Sequence, residues 1–71
     1  MTTVEVFKTN VCEQRTGQRI IKKLLRHYPD ARINFDLEDC DRVLRVEGIR
    51  LCVEKIMATL LKEGFVCEEL A

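Results

Sequence analysis

The sequence predicts an α+β sandwich in the order strand, helix, strand, strand, helix, strand, and three observations predict it. Apolar and polar residues alternate in four short stretches. Two longer stretches carry apolar residues at helical spacing, and Pro29 and Gly64 fall where those two helices should stop. With 71 residues, of which 46% are apolar, there is material for one core, so residues 1–71 read as a single domain.

Each element follows from local pattern. Val4 and Val6 alternate with Glu5, and residues 4–8 are β-branched and aromatic enough for a strand. Across 13–28 the apolar positions are Ile20, Ile21, Leu24, Leu25 and Tyr28, a helical stripe. Pro29 ends it, because proline lacks the amide hydrogen and disfavours helix in the residue before it. Ile33, Phe35 and Leu37 then alternate with Asn34, Asp36 and Glu38, and Leu44 and Val46 alternate with Arg45 and Glu47. This predicts an antiparallel hairpin with Asp39-Cys40-Asp41 at its tip. Gly48 is expected to break the second of these strands. Val53, Ile56, Met57, Leu60 and Leu61 recur at helical spacing up to Lys62-Glu63-Gly64, and residues 65–70 alternate again as a last strand.

That order is the ferredoxin-like βαββαβ sandwich: a four-stranded antiparallel sheet, first and third strands central, with two helices on one face. The topology gathers Cys12, the Asp39-Cys40-Asp41 tip and Lys62-Glu63-Gly64 at one end. Cys52 falls at the other.

Composition narrows function. Twelve Lys and Arg balance twelve Asp and Glu, whereas a nucleic-acid binder usually carries a strong basic excess, so no nucleic-acid partner is expected. Base stacking on the open sheet face would have only Phe7 and Phe65 to use. No apolar run approaches the roughly 20 residues of a membrane span, so no membrane insertion is expected. The opening Met1-Thr2-Thr3-Val4-Glu5-Val6 lacks the pattern of a secretory leader, which makes a cytoplasmic location and reduced thiols the expectation. No Ser/His/Asp or Cys/His pairing falls at one end and no glycine-rich phosphate loop is present, so the chain is not expected to be an enzyme.

The four cysteines, Cys12, Cys40, Cys52 and Cys67, form no Cys-x-x-Cys pair, and the single histidine is His27. A closed zinc knuckle is not expected. Cys52 and Cys67 read as small apolar fillers of the second helix and last strand. His27, at the end of the first helix, reads as a surface residue. Charge is unevenly spread along the chain: residues 1–35 hold seven basic and three acidic side chains, and 36–71 hold five and nine, so +4 and −4 cancel. Arg15, Arg19, Lys22, Lys23 and Arg26 concentrate the positive part on the first helix.

Over nearly its whole length the chain resembles the heavy-metal-associated domains of copper chaperones and metal-transporting ATPases. Those domains share the element order, and their Ala/Lys-x-Gly-Tyr/Phe turn looks like Lys62-Glu63-Gly64-Phe65. Phe7-Lys8-Thr9-Asn10 and Asp36-Leu37-Glu38-Asp39-Cys40-Asp41 also resemble small bacterial proteins that lack paired cysteines. The family's metal motif, Gly-Met-x-Cys-x-x-Cys, lies in the first strand–helix loop, where this chain has Thr9-Asn10-Val11-Cys12-Glu13-Gln14-Arg15-Thr16. Aligned on cysteine, Cys12 takes the first ligand position and Arg15, a cation that binds no metal, takes the second. Aligned on the apolar phase, Val11 takes the buried methionine position, with Glu13 and Thr16 at the ligand positions. The second alignment is preferred, because core spacing is harder to shift than one loop residue. There Glu13 reads as a carboxylate at a helix start and Thr16 as a cap or first-turn partner.

Copper(I) selects paired soft thiolates, which Glu13 and Thr16 do not supply. The resemblance therefore implies a degenerate metal loop and no required cofactor. What remains is an interaction or regulatory module whose basic helix docks an acidic protein partner or a second copy. The alternative is a carrier of copper(I) or zinc through Cys12, shared between two chains or helped by Cys40.

Overall fold

The computed structural model describes residues 2–70. The elements are β1 (Thr2–Thr9), α1 (Gln14–His27), β2 (Arg32–Asp36), β3 (Val43–Ile49), α2 (Val53–Lys62) and β4 (Cys67–Leu70). The strands form one antiparallel sheet in the order β2-β3-β1-β4, so the first and third strands are central as expected.

Register decides which side chains share a face, because residues directly opposite project to the same side. Phe7 lies opposite Leu44, which in turn lies opposite Phe35; Val46 lies opposite both Glu5 and Ile33. Phe7, Leu44 and Val46 are fully buried together with Ile20 and Leu24 of α1 and Ile56 and Leu60 of α2. One core thus joins a single sheet face to both helices. Val11, from the β1–α1 loop, completes the eight fully buried apolar residues. Each is worth roughly 1.5–3 kcal/mol relative to an exposed position. The valines of β1 face the other way: Val4 lies opposite Glu47 and Val6 opposite Arg45, on the open face, and Val4 stays 43% exposed.

The helix ends follow from capping. The Tyr28 amide donates to Leu24 (2.9 Å), and Pro29 follows, so α1 stops at His27. At the end of α2 the Gly64 amide donates to Leu61 (3.0 Å) and the Phe65 amide to Leu60 (3.0 Å), with Gly64 at φ +90°. This pattern is a Schellman cap, which needs the left-handed conformation glycine tolerates. It holds Phe65 in the cap, so the last strand begins at Cys67, two residues later than the alternation suggests.

Gly48 corrects the expected strand break. It lies inside β3, buried and paired with Thr3. A Cβ there would stand 3.2 Å from both Ala31 Cβ and Leu51 Cδ2. Gly48 therefore marks a close approach of neighbouring chain, the other use of glycine within a strand.

Candidate functional site

The β1–α1 loop is fixed by side chains that the strand pattern does not distinguish. Thr9 is 7% exposed; its amide donates to Asp41 O (3.1 Å), its hydroxyl donates to Arg42 O (2.6 Å), and the same oxygen accepts from the Val11 amide (3.2 Å). The Asn10 side-chain oxygen accepts from the Val66 amide (3.0 Å). These bonds tie together the β1–α1 loop, the β2–β3 hairpin and the α2–β4 turn, the three segments that topology places at one end.

With Val11 drawn into the core, the next residue is turned out, and Cys12 is exposed. Glu13 is the boundary residue of α1 and makes no capping hydrogen bond through its side chain. Thr16 lies in the first turn of α1 and is half-buried, which is the first-turn position of the two considered for it and not the cap, a place Glu13 takes. Arg15 is exposed.

Cys40 is an exposed free thiol at the hairpin tip. Ligand atoms of Asp39, Cys40 and Asp41 lie within 4.8 Å of one another, and Cys12 is not among them. The Asp41 amide donates to Asp39 Oδ1 (2.9 Å), and the Asp41 carboxylate lies 3.7 Å from Lys8 Nζ. The tip is thus shaped by its own turn and by a neighbouring cation.

The other two cysteines separate. Cys52 is exposed, which overturns the expectation of a core filler: it stands at the start of α2, where its amide donates to the Tyr28 hydroxyl (3.1 Å) at the end opposite Cys12. Cys67 is half-buried against the core, and burial pushes its thiol up to about 11. His27 is exposed, its ring tilted toward Tyr28 with centroids 6.4 Å apart.

The basic helix resolves into two groups. Arg15, Arg19, Lys22 and Arg26 recur at i, i+4, i+7 and i+11 and are exposed, opposite the buried stripe of Gly17, Ile20 and Leu24. Lys23 lies toward α2 and is half-buried. Glu63, the residue that closes α2, bridges to Lys23 Nζ (2.5 Å) and Arg19 Nε (3.2 Å), with a side chain only 13% exposed. The Lys23 hydrogen bond, with the charges of Lys23 and Arg19, holds the Glu63 carboxyl below its ordinary value. Two of the five cations are therefore engaged within the chain. Among the described residues Arg15, Lys22 and Arg26 make no ion pair.

Neither aromatic considered for base stacking lies on the open sheet face. Phe7 is fully buried beneath the helices, and Phe65 lines a groove beside α2. No helix among the described residues is long and apolar enough to cross a membrane. No protein-family model, curated protein or solved structure matches the chain.

Proposed function

We propose that this chain is a small non-enzymatic, cytoplasmic binding domain, ferredoxin-like and resembling heavy-metal-associated domains with a degenerate metal loop. It serves as an interaction or regulatory module that docks an acidic protein surface on α1. The observation that carries this is the row Arg15, Lys22 and Arg26, exposed at helical spacing and without carboxylate partners among the described residues. Acidic surfaces are steered to such a row, and the attraction weakens with salt. Arg19 and Lys23 contribute less, because Glu63 already engages them.

The test is titration of the isotopically labelled chain with a polyglutamate peptide at low and high salt. Amide shifts are expected along α1 at low salt and their loss in an Arg15→Gln/Lys22→Gln/Arg26→Gln variant. Shifts spread evenly over the surface, or unchanged in the variant, would remove the reading.

One observation favours a second reading, a copper(I) or zinc carrier: the exposed thiol of Cys12 stands at the same end as the Asp39-Cys40-Asp41 cluster. A single thiolate leaves coordination to be completed by Cys40 or by Cys12 of a second chain. Copper(I) titration against a competing chelator, for the native chain beside Cys12→Ser and Cys40→Ser, separates the two. A carrier loses affinity on the Cys12 change; an interaction module shows no Cys12-dependent binding at micromolar competitor.

A further inference from the structure

A different part of the molecule carries a second kind of contact. Among the described residues β4 is an edge of the sheet, paired only with β1, so every second residue of Cys67–Leu70 turns its amide and carbonyl to the unpaired side. The start of this edge is flanked on both faces. On the helix side runs a groove of about 400 Å³ lined by Met57, Ala58, Leu61, Phe65, Val66 and Cys67, almost wholly apolar. On the open side, Val66 and Cys67 also line a second depression of about 380 Å³ with Lys8, Asn10 and Glu68. Leu61 and Val66 are 69% and 62% exposed. The opposite edge, β2, lies beside a more polar groove, in which Ile21, Ile33, Phe35 and Leu37 are mixed with Gln14, Gln18, Asp36 and Glu38.

Charge selects the occupant. Glu68 and Glu69 point to opposite faces of β4, and Glu54 stands at the rim of the apolar groove. Neither Glu68 nor Glu69 makes an ion pair among the described residues; Lys8, which lies opposite Glu68, is drawn to Asp41. Glu5 of β1 lies on the same helix side of the sheet as Glu69, so negative charge is crowded there as well. Two copies pairing through β4 would set these carboxylates against their equivalents.

We propose that the β4 edge accepts an extended basic segment of another protein as a fifth strand. Alternate side chains of that strand enter the apolar groove against α2, while the Lys or Arg residues between them, on the open face, meet Glu68. Backbone hydrogen bonds supply affinity, and the two flanking depressions supply side-chain selection at a period of two. This contact is independent of the basic helix, which lies on other residues and prefers the opposite charge.

The probe is an acetylated, amidated (Val-Lys)3 hexapeptide titrated into the full labelled chain at low salt, with (Val-Glu)3 as its counterpart. Shifts are expected at residues 67–70 and at Leu61, with slowed amide exchange along the outer side of β4. The acidic peptide should bind at least about tenfold more weakly, and Glu68→Lys should weaken the basic peptide by about fivefold. Leu61→Asn, at a position already exposed, should also weaken binding while leaving the rest of the amide spectrum in place. Equal affinity for the two peptides, shifts centred on β2 or α1, no binding at millimolar peptide, or self-association of the chain through β4 would each overturn the proposal.

Discussion

Cys67 shows how burial alone sets the chemistry of one side chain. With its thiol pushed up to about 11, only about one molecule in a thousand carries the Cys67 thiolate at pH 8. Cys12, Cys40 and Cys52 are exposed. Alkylation with iodoacetamide at pH 8, followed by peptide mass spectrometry, should label those three well before Cys67; comparable rates at all four would show Cys67 to be open. Sequence pattern distinguished Cys67 from Cys12 through the strand and loop that hold them. It failed at Cys52, because one turn of a helix decides between core stripe and boundary position, and periodicity locates helix ends only to within a few residues. Gly48 failed for a related reason. A glycine in a strand marks either an interruption or a close approach, and only the positions of Ala31 and Leu51 choose between them. Gly48→Val should therefore destabilise the fold by about 1–3 kcal/mol through overpacking, measured by urea unfolding. Unchanged stability would mean that the strand yields there.

Among the elements, α1 and α2 are joined by apolar contact and also by Glu63, which clamps Arg19 and Lys23 from the end of α2. The cations were legible in the sequence as a basic helix. Their carboxylate partner was not, because Glu63 is 40 residues beyond Lys23 and falls in a turn that reads simply as a helix stop. The clamp has a defined pH sign. A carboxyl held below its ordinary value in the folded chain contributes stability that is complete above its unfolded value, and this is lost as pH falls through the lowered one. Glu63→Gln should lower the urea midpoint at neutral pH, with the gap to the native chain closing below about pH 4, the ordinary carboxylate range. A constant gap across that range would show that Glu63 acts through packing or its backbone alone.

For the molecule as a whole, the +4 and −4 halves of the sequence do not become two charged hemispheres. The sheet order β2-β3-β1-β4 alternates strands from the front and back of the chain, so opposite charges are interleaved, as where Arg32 faces Glu47 and Lys8 faces Glu68. What survives at long range is local: the basic outer row of α1 and the acidic β4 edge. Near that edge Glu5 and Glu69 lie on the same helix side of the sheet. Hydrogen bonding of the Glu5 proton toward Glu69, partial desolvation and mutual repulsion hold the Glu5 carboxyl above its ordinary value. Its sign is opposite to that of Glu63: the folded chain takes up the Glu5 proton before the unfolded chain does. The contribution of Glu5 is complete below its unfolded value and is lost as pH rises through the raised one. In the window just above the ordinary carboxylate value, acidification thus strengthens the Glu5–Glu69 contact, and the loss at Glu63 begins only lower on the scale. Glu5→Gln keeps a hydrogen-bond donor and removes one charge. It should raise stability at neutral pH, bring no comparable gain at pH 4, and flatten the stability profile between them, as measured by thermal unfolding across that range. A Glu5→Gln chain with the same neutral stability and the same profile as the native one would show that the two carboxylates are kept apart in solution.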